Sequence, residues 1–195
     1  MGLLLAFAPF ILFTVLDALA GPLPGLAAGT LVAAALLLRD AVTAGRTPKI
    51  LDIGSALLFG GLALYTVLAG ADWPDAAVPL CVDAGLLVVV LASLALGRPF
   101  TLQYAQEQVS ESLRHHPILI RANVVVTRAW AVAFAVMALA EVALPALPTL
   151  PPLAGIGVTV LALAAAVAFT LWYPQRVTAR RRIQGRPPGP DAGGW

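Results

Sequence analysis

The feature that most constrains this chain is a series of apolar runs, each close to the roughly 20 residues a helix needs to cross the hydrocarbon core of a bilayer. Six such runs occupy residues 3–20, 23–38, 50–70, 77–97, 122–144 and 152–172. With 60% hydrophobic and 11% charged residues and a mean hydropathy of +0.90, the 195-residue chain lacks the polar surface of a soluble globule, where about 25% charged is usual. Lipid is the expected solvent. No basic residue precedes the first run, so it reads as a span rather than a cleavable leader. The expected fold is all-α: a polytopic membrane domain over residues 1–175, with six transmembrane helices arranged as three hairpins.

Basic residues orient the spans, because loops rich in Lys and Arg stay in the cytoplasm. Arg39, Arg46 and Lys49 lie between runs two and three, Arg98, Arg114 and Arg121 between four and five, and Arg176, Arg180, Arg181, Arg182 and Arg186 after six. The remaining connections, GPLPG, ADWPDA and PALPTLPP, carry no basic residue and suit the outer face. Both termini then lie in the cytoplasm. Heavy Arg, Ala, Gly and Pro usage suggests a GC-rich bacterial genome, which places the chain in a bacterial inner membrane. The basic, Pro/Gly-rich segment 176–195 reads as a disordered cytoplasmic tail drawn to the membrane surface. An acid accompanies each outer turn, giving a faint threefold hairpin repeat that turn chemistry alone would also produce.

Polar residues inside spans are the natural candidates for function, since a buried charge there costs about 2.5–3.5 kcal/mol on insertion scales. In run five, Asn123, Thr127, Trp130, Phe134, Met137 and Glu141 share one stripe at helical spacing, opposite Val125, Ala129, Val132, Val136 and Leu139. The stripe is expected to face protein, as a packing seam or as the lining of a cavity with Glu141 near its outer mouth. In run one, Phe10, Phe13, Thr14 and Asp17 make a comparable strip, and Asp83 lies about two turns into run four. Three carboxyls, Asp17, Asp83 and Glu141, could therefore approach one another near the outer leaflet, or simply reach interfacial water. Asp52 reads as a favourable charge at a helix N-terminus near Lys49. Gly54, Ser55, Ala56, Gly60 and Gly61 in run three would let another helix approach closely.

GRPFTLQYAQEQ opens the most polar interior stretch, the linker at about 98–117. From 101 to 114, Leu102, Ala105, Val109 and Leu113 share a face and polar residues cover the rest, which predicts a cytoplasmic interfacial helix lying on the membrane. Around it, Arg98, Phe100, Tyr104, His115, His116, Arg121 and Arg128 form a basic and aromatic rim. That rim suits an anionic lipid headgroup or ordinary positive-inside anchoring, with Glu107 a partner within reach of Arg128.

No catalytic motif appears. Adjacent His115 and His116 point about 100° apart on a helix, and no nucleophile, phosphate loop or metal spacing accompanies them. The single cysteine, Cys81, excludes an internal disulfide and reads as a packing residue. The expectation is a protein that is not an enzyme and has no cofactor, metal or nucleic-acid partner. Membrane lipids surround it, and a second copy or other envelope proteins are open as partners.

FAPFILF at 7–13, the LVAAALLL run, LLFGGLALY at 57–65, Arg98-Pro99-Phe100 and AWAVAF at 129–134 follow an order that resembles the intracellular septation protein A family of bacterial inner-membrane proteins. The likeness covers most of the chain. It departs where that family tends to place Asn near the Trp, for Thr127 and Glu141 stand there and Asn123 lies a turn earlier. The resemblance implies a small polytopic envelope protein linked to cell division and wall synthesis, without supplying a molecular activity. Two functions follow: a non-enzymatic organiser of envelope or division partners, or a carrier of a small solute, ion or lipid that uses the polar stripe and the outer carboxyls.

Overall fold

The computed structural model describes residues 5–43, 47–74, 77–147 and 153–184. These contain helices and no strand: α1 (Ala8–Ala20), α2 (Pro22–Val42), α3 (Ile50–Ala69), α4 (Ala77–Ala95), α5 (Phe100–Gln106), α6 (Pro117–Ala143) and α7 (Leu153–Gln184), with single 3-10 turns at Glu111–Leu113 and Leu144–Ala146. Proline and glycine set several boundaries. Pro9, Pro22 and Pro117 sit in the first turns of their helices, where a missing N–H costs nothing. Gly21, at φ 92°, takes a backbone conformation that side chains resist, and so turns α1 directly into α2.

Five described helices are long and apolar enough to cross a membrane: Pro22–Val42, Ile50–Ala69, Ala77–Ala95, Pro117–Ala146 and Ala154–Arg176. The chain is accordingly membrane-embedded. The first expected span is the exception, because α1 has 13 residues. At 1.5 Å per residue it covers about 20 Å of the roughly 30 Å hydrocarbon core. The segment expected to begin the tail also differs, since α7 continues as helix from Arg176 to Gln184. Residues 185–195 lie outside the described set.

Helix α6 is the hub, packed against α4, α5 and α7, while α1 lies along α2 and α2 along α3. A reciprocal pair of glycine notches joins α3 to α4. A Cβ on Gly54 would strike Val89 at 2.7 Å, and one on Gly85 would strike Leu58 at 2.4 Å, so each helix seats a branched side chain in the other. Of the small residues in α3, Gly54 therefore makes the close approach, while Gly61 faces open space.

The middle of the bundle is a continuous aromatic layer. Phe7 stacks on Trp130 with ring centroids 4.0 Å apart and planes inclined by 10°. Phe100, Phe134, Phe10, Phe13 and Phe59 extend the layer through successive ring contacts from the linker side into α3. All seven are buried, and each well-placed aromatic pair adds about 0.5–1.5 kcal/mol beyond burial. The layer divides the molecule into the end bearing α5, called the linker end, and the far end where α4 begins and α6 finishes.

Candidate functional site

The linker does not lie on a surface as a long helix. It forms the seven-residue α5, a turn, and the 3-10 turn at Glu111–Leu113, and it buries Phe100, Thr101, Leu102 and Tyr104 while Leu113 is exposed. The physical reason is that α5 has polar partners of its own. Ser93 Oγ accepts the Phe100 N–H at 3.3 Å, turning the chain at the end of α4. Thr101 donates to the Asn123 carbonyl at 3.1 Å and lies 2.8 Å from the Thr127 hydroxyl, fixing α5 to the stripe of α6.

The other side of α5 holds a buried ionic cluster. Lys49 is 2% exposed and pairs with Asp40, which is fully buried, and with Glu107 at 2.9 Å. Arg39 reaches the other oxygen of Asp40 at 2.9 Å. Tyr104 donates to Asp52 at 3.0 Å while its ring stands 5.2 Å from the Lys49 ammonium. Gln103 Oε1 accepts the Ile50 N–H at 2.8 Å, which caps α3 from 53 residues away. Burial pushes the Lys49 ammonium down, and hydrogen bonds and charges from Asp40 and Glu107 more than reverse this, so it is held above the ordinary lysine range. Burial first, then the Asp52 charge, hold the Tyr104 phenol above its usual range, keeping it a donor.

Several sequence expectations change here. Tyr104 and Phe100 belong to the core and not to an exposed rim. Glu107 pairs with Lys49, not with Arg128. Asp52 is a buried acceptor as well as a first-turn charge. His116 is exposed and caps α6, its Nδ1 accepting the Ile118 N–H at 3.3 Å. Arg98, His115, Arg121 and Arg128 are exposed.

Between α5, α6 and α7 lies a cavity of about 300 Å³. Asn123 and Trp130 of the stripe form one wall, Thr101, Tyr104 and Gln108 a second, and Val167, Thr170 and Leu171 a third. No charged side chain is among its described lining residues. Leu171 is 56% exposed, so the cavity opens on the α7 side. Its polar atoms are few and mostly engaged: Trp130 Nε1 donates to Thr170 at 3.0 Å, and Thr170 donates to the Ala166 carbonyl at 2.8 Å. Apolar walls with a few convergent polar groups are the usual form of a small-molecule site.

At the far end, α1, α4 and α6 bring the three expected carboxyls into one region. Glu141 is near enough to feel the charge of Asp17, and Asp83 that of Glu141. Asp83 is 3% exposed, while Asp17 and Glu141 are half-buried. No Lys or Arg occurs in residues 1–38, 50–97 or 129–175, so the helical stretches around these acids contain no counter-charge. The three do not form a metal-binding group among the described residues. About 16 Å of helix, 11 residues, separates Glu141 from Trp130, and buried Phe134 and Met137 fill the stripe between them.

The residues that sequence reasoning missed are Asp40, Lys49 and Gln103. A signal existed, for Lys49 is the sole lysine and stands between two acids at the edge of apolar runs. No protein-family model, characterised protein or solved structure matches this chain.

Proposed function

We propose that this chain is a non-enzymatic bacterial inner-membrane protein that binds, and as a carrier moves, an amphiphile of the bilayer. The carrying observation is the cavity in which Asn123 and Trp130 of the intramembrane stripe meet the walls of α5 and α7. A scaffold would act through the exposed part of the linker, which includes Gln108, Glu111, Arg114 and His115, whereas buried Thr101 and Tyr104 line the cavity, which favours a ligand held at this end. The resemblance to the septation family adds an envelope setting, which an amphiphile-binding protein shares. In this reading residues 3–20 complete a sixth span, both termini face the cytoplasm, and the linker end lies at the inner leaflet, as the position of the basic residues supports.

The test uses protein whose only tryptophan is Trp130, made by Trp73→Phe, Trp172→Phe and Trp195→Phe. In detergent, an acyl glycerol brominated along its chain should quench Trp130 saturably. Ala122→Phe, which fills the cavity from α6, should remove the saturable part while leaving the helical circular dichroism unchanged. Quenching that never saturates, or that Ala122→Phe leaves intact, rules the reading out.

A further inference from the structure

Resting on that reading, we propose that the cavity selects an uncharged amphiphile, one whose polar head is a hydroxyl or carbonyl that pairs with the side-chain amide of Asn123. Every described lining residue is neutral, and the basic residues expected to attract an anionic headgroup, Arg98, His115, His116, Arg121 and Arg128, all lie outside that lining and are exposed. An anionic head drawn into the cavity would lose its hydration and meet no cation among the described lining residues, whereas a neutral head would lose only hydrogen bonds that a few fixed groups can replace.

Asn123 is the group positioned to replace them. It is 8% exposed and lines the cavity. One of its N–H groups donates to the Leu119 carbonyl at 2.8 Å, anchoring the amide to its own helix. A carboxamide has two N–H donors and a carbonyl oxygen with two lone pairs, so the larger part of its capacity is left for a ligand. Its neighbours are already committed: Thr101 to α6, Trp130 to Thr170, and Thr170 to Ala166. Asn123 is thus the described lining side chain that combines deep burial with an unspent donor and an acceptor, and an amide that does both accommodates either a hydroxyl or a carbonyl. Below it Val126, Val167 and Leu171 supply an apolar channel for a chain, and the opening past Leu171 admits it from the surrounding leaflet.

The experiment uses the Trp130-only protein with two brominated probes of equal chain length, a monoacylglycerol and a lysophosphatidylglycerol. The neutral probe is expected to half-saturate at a concentration about tenfold or more below the anionic one, the factor that an uncompensated polar burial of about 1.4 kcal/mol produces. Asn123→Leu should weaken the neutral probe about tenfold and leave the anionic probe nearly unchanged, and Asn123→Ser should restore part of the preference. Equal or tighter binding of the anionic probe overturns this inference and leaves the amphiphile reading standing, as does a neutral probe indifferent to Asn123→Leu. Absence of saturable quenching by either probe overturns both. If Asn123→Leu does not fold, the ratio between the two probes on the parent protein decides.

Discussion

The two ends of this bundle bury acids in opposite company. At the linker end, Asp40 and Asp52 sit with Lys49, Arg39, Tyr104 and Gln103, and the described contacts supply each carboxylate with a donor. At the far end, Asp83, Glu141 and Asp17 have no basic partner among the described residues and lie in helical stretches without a basic residue. A buried carboxylate needs a donor, a cation, a proton or water. The linker end meets that need from within the chain and so gains a fixed geometry: Gln103 and Tyr104 tie α5 to α3, Thr101 ties it to α6, and Glu107 just beyond it reaches Asp40 of α2 through Lys49. The far end leaves the need unmet by protein. One end is therefore an architectural joint, and the other holds acids for which the described residues supply no cation.

The largest effect that would break this comparison comes from Lys49. Lys49→Met removes the cation shared by Asp40 and Glu107 and leaves a fully buried carboxylate with less compensation. Breaking one side of a buried pair costs about 3–5 kcal/mol, so the detergent-solubilised variant should melt well below the parent. A melting temperature within a degree or two of the parent would show that the joint does not hold α5. Tyr104→Phe is the next step down. It takes the donor from Asp52, itself 2% exposed, and should cost about 1–3 kcal/mol.

The same joint predicts an alkaline limit. A lysine held above its unfolded value, about 10.4, contributes its stability in full below that value and loses it as pH rises through the folded pKa. The phenol of Tyr104 acts in the same sense, because the unfolded chain sheds that proton first, from about pH 10. Melting temperatures should fall steeply above about pH 10 in the parent. The groups facing Lys49 are Asp40, Glu107, Asp52 and Tyr104. Lys49→Met and Tyr104→Phe should each flatten the fall, measured relative to the starting stability of the variant. An unchanged alkaline slope in both would place its origin elsewhere.

How much of this could be read from sequence depends on what periodicity reports. Runs of about 20 apolar residues marked the membrane helices because hydrocarbon thickness fixes their length, and α1 escaped the rule because its 13 helical residues adjoin a turn at Phe7. The stripe on α6 was legible for a similar reason: Asn123, Thr127, Trp130, Phe134 and Met137 are buried, and Val132, Val136 and Leu139 are exposed, as a 3.6-residue period requires. The linker was not. Its polar residues share faces of a helix just as a surface helix would, and periodicity cannot say whether such a face meets water or another polar element. Gln103 found Ile50 and Tyr104 found Asp52, contacts more than 50 residues apart that no local pattern announces. The cavity is a product of those same contacts, since α5 forms one of its walls.

The smallest expected effect sharpens the comparison most. Asp83→Asn keeps nearly the same shape at a site that is 3% exposed, and it leaves that site neutral at every pH beside Glu141. At the linker end a substitution of this kind would strip an ion pair. At the far end the described residues hold no cation to lose, so the variant should keep the parent stability to within about 1 kcal/mol. Thermal melts at pH 7 in the same detergent as Lys49→Met give the contrast directly. Glu141→Gln, at a half-buried position, should behave in the same way with a smaller amplitude. A loss of about 3 kcal/mol on Asp83→Asn would mean that Asp83 has a counter-charge after all, and that the two ends are built on one principle. Equal stability would instead leave the far-end acids as groups kept against no structural need, and their substitution could then be read in a transport assay without a folding defect to confuse it.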